Sequence, residues 1–397
     1  MGDLNTIDLF AGAGGITEGF RQAGFNCLYS NDFNENAVET FRLNHRDTWA
    51  THGPIENQDP ESVRHKLGLQ KGELDCILGG PPCQGFSIYA PDRILDDPRN
   101  SMFRHYLRFV DEFAPRTLLI ENVPGMLSLG GGRVVETILR ELTDRGYKTS
   151  CRIMLAAHFG VPQNRFRLIF LASLSPGLVH PEPTHFHEAL ANFTGGSTLT
   201  TRLRPLDSLM LEPAVTLRDA ISDLPMIEAG GGAEEMPYGK RREISKYAAE
   251  LRMGTEKLFN HTSNKLSPIN LERLRHIPAG GAWTNIPFEL LPEGMKKARR
   301  SDHTKRYGRL AWDSLACTML TKCDPHWGAV FHPDQARAFS VREAARIQSF
   351  PDYYRFKGNR GSQFEQVGNA VPVLLARAIA ETMKSHLEVR GKSSCAA

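Results

Sequence analysis

Among the residues that could do chemistry, the first is Cys83. It follows two prolines in the segment GGPPCQGFS, residues 79–87. Cys83 comes directly after an apolar run, where the chain leaves a predicted strand. The prolines stiffen this approach, and Gly85 allows the next segment to turn. A thiol held rigidly in a cleft can act as a nucleophile if a neighbour favours its thiolate. Buried structural thiols are the commoner alternative, and Cys27 and Cys76 are predicted to be of that kind.

An acid and two arginines could complete such a site. Glu121 follows the apolar run TLLI at the end of another predicted strand. Burial of an unpaired carboxyl is costly and raises its pKa, which suits a general acid. In the segment PQNRFRLIF, Gln163, Arg165 and Arg167 alternate along one predicted strand and would therefore share a face. Taken singly, a solvated strand end and an ordinary amphipathic strand explain these residues equally well.

A glycine-rich turn follows the first predicted strand. The segment DLFAGAGG places Gly12, Gly14 and Gly15 between a strand and a helix. Thr17 stands where the last glycine of G-x-G-x-x-G would be, which weakens a dinucleotide interpretation. Asp32 follows the second strand about twenty residues on, where an acid can accept hydrogen bonds from a ribose. A cofactor with a ribose but no pyrophosphate, such as S-adenosylmethionine, fits both features, and a turn without a ligand is the alternative.

The elements that must position these residues alternate between strand and helix up to residue 172. Strands are predicted at 5–10, 26–32, 74–80 and 117–123, with helices between them. This alternation is typical of an open α/β fold with a doubly wound, largely parallel sheet. Ligands bind at the carboxyl edge of such sheets, which is where Cys83 and Glu121 are expected.

The alternation stops in the middle of the chain. Residues 173–305 hold most of the proline-rich turns and glycine clusters, which predicts a second, smaller domain rich in β structure and loops. Helical patterns return near the C-terminus. We therefore predict a discontinuous catalytic domain of residues 1–175 plus 345–397, and a target-recognition domain with a hinge at 176–344.

Composition excludes several classes of protein. The chain has 397 residues, a net charge of +3 and seven cysteines without a C-x-x-C pair, which argues against a disulfide framework and a zinc site. His326 and His332 follow Cys323 at a spacing that fits no zinc pattern, so no metal is expected. No apolar run reaches membrane-spanning length and no secretory signal is recognisable, so a cytoplasmic location without a membrane partner is predicted.

The segments DLFAGAGG, GGPPCQGFS, ENV, QNRFR and QVGNAVP occur in this order and together resemble the cytosine-5 DNA methyltransferase family of the bacterial type. The resemblance covers residues 5–172 and 306–381. The combination of PPCQGFS with ENV is highly specific for this family, whereas the glycine turn alone is not. The resemblance implies a Rossmann-like methyltransferase fold that transfers a methyl group from S-adenosylmethionine to C5 of a cytosine in a specific duplex DNA sequence.

The resemblance also implies a role for each catalytic residue. Cys83 would attack C6 of the cytosine, and Glu121 would contact N3 and the exocyclic amine. Arg167 would contact O2 of the base, and Arg165 would orient the acid and the neighbouring loop. The base that removes the C5 proton is not identified, and water is possible.

Base flipping would bring the cytosine to these groups, because C5 cannot be reached inside a stacked duplex. The loop that follows Cys83 would close over the flipped base, and Ser87 and Arg93 would touch phosphate.

The cofactor pocket implied by the resemblance departs from the family at one position. The family often has Gly-Asp-Ile after the second helix, with the Asp reading the adenine amine, whereas this chain has Pro54 there. Adenine recognition must then use the backbone or another acid. The implied pocket consists of Phe10, Gly12 and Gly14 around methionine and adenosine, Asp32 on the ribose, Phe33 on the adenine, and Asn369 on the methionine side.

A basic run at residues 296–309 has seven basic residues against one acid. Such a run can neutralise DNA phosphates, although a solvated loop is the usual explanation of a charge run. Because the methyltransferase motifs occur in the same chain, we favour contact between this basic run and DNA phosphates. The residues predicted to make it are Lys296, Lys297, Arg299 and Arg300.

Three other functions are weighed against DNA methylation. The same chemistry on RNA, as in the tRNA branch of the family, is disfavoured by the large middle region. A Rossmann oxidoreductase is disfavoured by the missing glycine, and an inert DNA-binding accessory by the intact Cys83, Glu121 and Arg167. We expect a monomer that acts on duplex DNA, either alone or together with a cognate restriction endonuclease.

Overall fold

The computed structural model describes residues 4–82, 101–188, 210–239 and 243–394. The chain divides into two compact units. The first comprises residues 1–159, 166–212 and 373–397, and the second comprises 160–165 and 213–372. This division concerns packing alone, so the predicted division of cofactor binding and target recognition between two domains stays a prediction.

A mixed sheet of seven strands forms the centre of the first unit. The strands up to residue 173 are β1 (Leu4–Leu9), β2 (Phe25–Asp32), β3 (Trp49–His52), β4 (Cys76–Gly79), β5 (Thr117–Asn122), β6 (Lys148–Leu155), β7 (Gln163–Asn164) and β8 (Phe166–Ser173). All of these except β7 join the sheet, in the order β3-β2-β1-β4-β5-β8-β6. Only β8 runs against its neighbours, β5 and β6. The predicted doubly wound, largely parallel sheet is confirmed.

Helices accompany this sheet and also build much of the second unit. β4 is buried along its whole length and β5 at all but one residue, as expected for parallel strands covered on both faces. The helices are α1 (Gly15–Gln22), α2 (Glu35–Asn44), α3 (Pro60–Lys66), α4 (Ser101–Phe113), α5 (Arg133–Asp144), α6 (Leu217–Ile221), α7 (Lys246–Arg252), α8 (Pro268–Arg275), α9 (Glu293–Lys296), α10 (Val341–Ile347), α11 (Arg360–Asn369) and α12 (Val373–Ser394). No helix in the described ranges is both long and apolar enough to cross a membrane.

Paired short strands supply the β structure of the second unit. The remaining strands are β9 (His185–Phe186), β10 (Glu212–Pro213), β11 (Gly232–Pro237), β12 (Lys257–Thr262), β13 (Gly308–Arg309), β14 (Ala316–Cys317) and β15 (Ala329–Phe331). In this unit β11 pairs with β12, β13 with β15, and β14 with β7. An apolar core that includes Trp283, Tyr307 and Phe331 lies beneath them.

Buried ion pairs also hold the second unit together. The guanidinium of Arg346 lies 2.5 Å from a carboxylate oxygen of Asp223 and 2.7 Å from one of Asp352. Arg337 pairs with Glu343 at 2.7 Å. A buried pair is costly to break because the remaining charge loses its partner, so these groups are structural.

One predicted strand is interrupted. The sequence places Gln163, Arg165 and Arg167 on one strand, but β7 ends at Asn164 and β8 begins at Phe166. Gln163 and Arg165 belong to the second unit, whereas Arg167 belongs to the first. The alternation of polar and apolar residues predicts one continuous strand. It does not reveal that β7 and β8 pair with different strands on either side of Arg165.

The C-terminal helix α12 packs on α1 within the first unit, where Gly19 allows close approach. A Cβ atom on Gly19 would lie 2.5 Å from the Cβ of Ala376 and 2.7 Å from the carbonyl oxygen of Val373. These distances are shorter than normal contacts, so any side chain at this position must push the two helices apart.

We expect Gly19→Val to lower the free energy of unfolding by about 1–3 kcal/mol because it overpacks this contact. The measurement is denaturant unfolding followed by circular dichroism. Gly125→Ala is the control, because a Cβ on Gly125 would meet no atom within 4 Å. Equal stability of the two variants would contradict the close packing of α1 on α12.

Candidate active site

Two loops of the first unit meet at the centre of the sheet, where successive strands are added on opposite sides of β1. From β1 the strand order runs outward through β2 and β3 on one side and through β4 and β5 on the other. Leu9 at the end of β1 is paired with Gly79 at the end of β4. In open α/β sheets this switch point forms the ligand crevice. The glycine turn and the two prolines therefore lie at the same place in the sheet.

The glycine turn is tied to the end of β2 by a carboxylate. Oδ2 of Asp32 accepts the N–H of Gly12 at 2.8 Å, and Oδ1 accepts the N–H of Asn34 at 2.8 Å. Burial raises the pKa of the Asp32 carboxyl, and these N–H groups oppose that rise. Gly12 and Gly14 have φ angles of 54° and 88°, a region that favours glycine. Phe10 also has a positive φ, of 59°.

Thr17, which replaces the expected glycine, has a structural role. Its hydroxyl donates to Oδ2 of Asp8 at 2.6 Å, which ties α1 to β1 beneath the turn. Burial raises the pKa of Asp8 to about 7. Where G-x-G-x-x-G would have a glycine, Thr17 thus provides a hydrogen bond between the helix and the strand.

The residues around the turn fit a nucleoside-bearing cofactor. The side chain of Phe33, next to Asp32, is 70% exposed at the end of β2, which is unusual for a large aromatic ring. A Cβ on Gly12 would meet no atom within 4 Å, so the turn leaves open space at this edge. An exposed ring for stacking, a carboxylate and bare backbone are what an adenosine would require there.

Pro54 is exposed and precedes a 3₁₀ turn at Ile55–Asn57, so it offers no donor or acceptor side chain to an adenine. The nearby Asp59 is the N-cap of α3, and its Oδ2 accepts the N–H of Ser62 at 3.0 Å. That carboxylate therefore caps the N-terminus of α3.

Glu121 and Arg167 form an ion pair at the carboxyl edge of β5. Nε of Arg167 lies 2.5 Å from Oε1 of Glu121, and their side chains are only 10% and 13% exposed, respectively. Burial raises the pKa of the Glu121 carboxyl, and the Arg167 guanidinium opposes the rise. The pairing depends on the direction of β8, because an antiparallel strand begins beside the end of β5.

Asn122 is a site residue to which the sequence assigned no role. Its side-chain amide donates to the carbonyl oxygen of Pro81 at 2.9 Å, so the end of β5 holds the turn that leads to Cys83. A Cβ on Gly80 would lie 3.1 Å from Oε2 of Glu121, so glycine leaves room for the carboxyl at this point. The ENV motif could have revealed Asn122, since a buried amide at a strand end needs a partner.

The second unit contains two of the predicted site residues. Arg165 is buried and donates to the carbonyl oxygens of Met319 at 3.2 Å and Gly368 at 2.8 Å. Asn369 is the last residue of α11, and its side chain is exposed. Their predicted roles beside the base and the cofactor stay predictions.

The predicted phosphate contacts differ in their surroundings. Lys297, Arg299 and Arg300 are exposed, whereas Lys296 is half-buried and its Nζ lies 2.6 Å from Glu293. Cys83, Ser87 and Arg93 lie outside the described residues, which stop at Pro82 and resume at residue 101.

Comparisons with known proteins find similar sequences and a similar structure over nearly the whole chain. The family profile of C-5 cytosine-specific DNA methylases matches residues 4–385. Type II methyltransferase M.AgeI of Thalassovita gelatinovora is 35% identical, over 96% of this chain and 99% of its own length. Type II methyltransferase M.DdeI of Desulfomicrobium norvegicum is 33% identical, over 97% of this chain and 89% of its own. Among solved structures, an E. coli prophage protein described as a DNA modification methyltransferase shows a TM-score of 0.71 at 25% identity, over 97% of this chain and all of its own.

We expect Arg167→Met to destabilise the protein by about 3–5 kcal/mol near neutral pH, because Glu121 would be left as an unpaired buried charge. Without the guanidinium, the pKa of Glu121 rises further. An acid with a raised folded-state pKa destabilises the fold as the pH rises through that value. The deficit, measured by urea unfolding, should therefore be larger at about pH 8 than at about pH 5.

Arg145→Met provides the control. Arg145 pairs with Asp111 near the surface, where the carboxylate side chain is 54% exposed. Such pairs contribute about 0–1 kcal/mol, and little dependence on pH is expected. A deficit of Arg167→Met that stays constant with pH would contradict the burial of Glu121.

Proposed function

Because the chain belongs to the C-5 cytosine-specific DNA methylases, we propose that Glu121 and Arg167 bind the target cytosine while Cys83 attacks it. The family methylates C5 of cytosine in DNA with S-adenosylmethionine as the methyl donor, and so does this protein. What remains a proposal is the part that each residue takes in the reaction.

The proposal rests on the Glu121–Arg167 pair. Oε1 of Glu121 is taken by Arg167, while no described residue donates a hydrogen bond to Oε2. Burial raises the pKa of this carboxyl, which favours its protonated form. A protonated Oε2 would donate to N3 of cytosine, and the guanidinium of Arg167 would donate to O2. Both contacts stabilise the negative charge that nucleophilic attack pushes into the ring.

The bonds change in three steps. The thiolate of Cys83 bonds to C6, the C5–C6 double bond opens, and the ring accepts the proton of Glu121 at N3. The enamine carbon C5 would then take the methyl group that S-adenosylmethionine supplies when bound, and the sulfonium would be left as a neutral thioether. A base would then remove the proton from C5, the C5–C6 double bond would re-form, and the thiolate of Cys83 would leave while N3 returns its proton to Glu121. Water could serve as that base.

Asn122 would act in this scheme as a positioning residue. Its bond to the carbonyl oxygen of Pro81 fixes the turn immediately before Cys83. Fixing the direction of attack in this way reduces the motion that must be lost in the transition state.

The cofactor would be bound by the residues around the glycine turn. Asp32 retains lone pairs that could accept the ribose hydroxyls, and the exposed ring of Phe33 could stack on the adenine. Phe10, Gly12 and Gly14 would lie along the methionine part. Asn369 is proposed to close the methionine side.

The biological setting is also inferred. Two bacterial relatives are named Type II methyltransferases, which supports a restriction-modification or solitary methylation role. We therefore propose that the protein methylates DNA in the bacterial cytoplasm, in association with the nucleoid, either alone or together with a cognate endonuclease. We also propose that it acts as a monomer. Methylation of tRNA is the less supported alternative.

We expect transfer of label from tritiated S-adenosylmethionine to duplex DNA and not to a tRNA pool. Duplexes that contain 5-fluorocytosine should trap a covalent adduct, because fluorine cannot leave C5 as a proton would. The adduct should appear as a shifted band on a denaturing gel, and Cys83→Ala should abolish it while cofactor binding remains. Label confined to tRNA would contradict the substrate, and an adduct in Cys83→Ala would contradict the nucleophile.

We expect Glu121→Gln to lower kcat by about 100-fold or more, as for the loss of a general acid. In the wild-type protein the activity that needs protonated Glu121 should decline as the pH rises through its raised pKa. The variant should lack that decline, since glutamine does not titrate. Glu39→Gln, at an exposed position on α2, is the matched control and should keep the wild-type profile. Identical pH profiles for wild type and Glu121→Gln would remove Glu121 from the proton transfer.

A further inference from the structure

An exposed tryptophan stands out on the second unit. The side chain of Trp327 is 56% exposed, although tryptophan is usually well buried. It lies in a rigid turn, because Oδ1 of Asp324 accepts the N–H of His326 at 2.9 Å and the carbonyl oxygen of Asp324 accepts the N–H of Trp327 at 3.0 Å. The backbone thus holds a large apolar ring of which more than half stays exposed in the described part of this unit.

The structure places part of the basic run against this ring. The guanidinium carbon of Arg306 lies 4.9 Å from the centroid of the Trp327 ring, within the range of a cation–π contact. The ring of His326 meets the indole edge-on, with centroids 5.0 Å apart. The N–H of Tyr307 donates to the carbonyl oxygen of Pro325 at 2.7 Å, which joins the two segments. We name Arg306, Tyr307, His326 and Trp327 the tryptophan cluster.

The backbone that carries Arg306 is strained. His303 and Tyr307 have φ angles of 54° and 51°, which side chains of this size rarely adopt. Such strain persists only where the surrounding structure enforces it, and it is concentrated at functional sites. Here Arg273 lies over the Tyr307 ring, and Gly308 packs so closely on Ala329 that a Cβ would be 2.5 Å away.

A second tryptophan–arginine pair in the same unit shows what distinguishes this cluster. Arg218 lies over the ring of Trp312, but it is paired with Asp313 at 2.9 Å. The indole N–H of Trp312 donates to Asp334. Carboxylates therefore occupy that pair and would repel DNA. Among the described residues, no carboxylate forms an ion pair with Arg306.

We propose that Arg306 reads a guanine in the DNA recognition sequence, with its guanidinium directed by the indole of Trp327. This inference rests on the proposed function, since its ligand is the duplex substrate. A guanidinium donates two parallel hydrogen bonds to O6 and N7 of guanine, which is the commonest specific contact in the major groove.

The cluster suits base recognition better than phosphate contact. A phosphate is satisfied by any nearby cation, and exposed lysines such as Lys297 supply one without a fixed direction. Reading a base edge needs a planar fork held at one angle. Stacking on the indole provides that restraint. Trp327 also gains burial when DNA covers it, which explains an apolar ring on a basic surface.

The test uses the full-length protein, S-adenosylmethionine and a pool of DNA duplexes with a randomised central region, followed by bisulfite sequencing. Wild-type protein should methylate cytosines in one preferred sequence. Arg306→Lys keeps the charge and most of the packing but loses the fork. It should lower discrimination at one guanine by about 5- to 150-fold and keep the preference at the other positions. Trp327→Leu should relax discrimination at the same guanine.

Two controls separate the possible outcomes. Arg218→Lys changes the matched pair and should leave the preference unchanged, whereas Lys297→Ala should weaken methylation of all sequences alike. If Arg306→Lys weakens all sequences alike, or changes nothing while folded by circular dichroism, the assignment of Arg306 is wrong and the proposed function stands. A wild-type protein that methylates no duplex would overturn both.

Discussion

The ion pair between Glu121 and Arg167 is the interaction on which the first unit's site depends. It requires a carboxyl at the end of β5 and a guanidinium at the start of β8, and the two meet only because β8 runs antiparallel to β5. A parallel strand would place Arg167 at the opposite edge of the sheet. Burial raises the pKa of the Glu121 carboxyl, and the Arg167 guanidinium opposes that rise. One strand direction therefore sets both the position of the Glu121 carboxyl and the charge that lies beside it.

The switch point between β1 and β4 brings the other half of the site to the same edge. Asp32 holds the glycine turn through the N–H of Gly12, and Asn122 holds the proline turn through the carbonyl oxygen of Pro81. In both cases a polar side chain at the end of one strand forms a hydrogen bond with the loop that follows a neighbouring strand. Loops that carry function are mobile by default, so such fastening provides the preorganisation that catalysis needs.

Arginines in the second unit fall into two groups according to their partners. Arg346 is buried between two carboxylates, and Arg165 is buried among carbonyl oxygens, so their donors are already used within the protein. Arg306 instead lies over an exposed indole with no carboxylate paired to it in the described ranges. Identical side chains are thus used up by carboxylates and carbonyl oxygens in one setting and left without a carboxylate partner in the other, and only the surroundings distinguish them.

The sequence alone determined the alternation of strands and helices, the loops after β1, β4 and β5, and the residue types at their tips, because these follow from local hydrophobic periodicity and from glycine and proline. It did not reveal the break at Arg165, the fastening role of Asn122 or the meeting of Arg306 with Trp327. Each of these depends on pairing between segments distant in the chain, which local patterns do not encode. The tertiary structure decided them through strand direction, register and the satisfaction of buried polar groups.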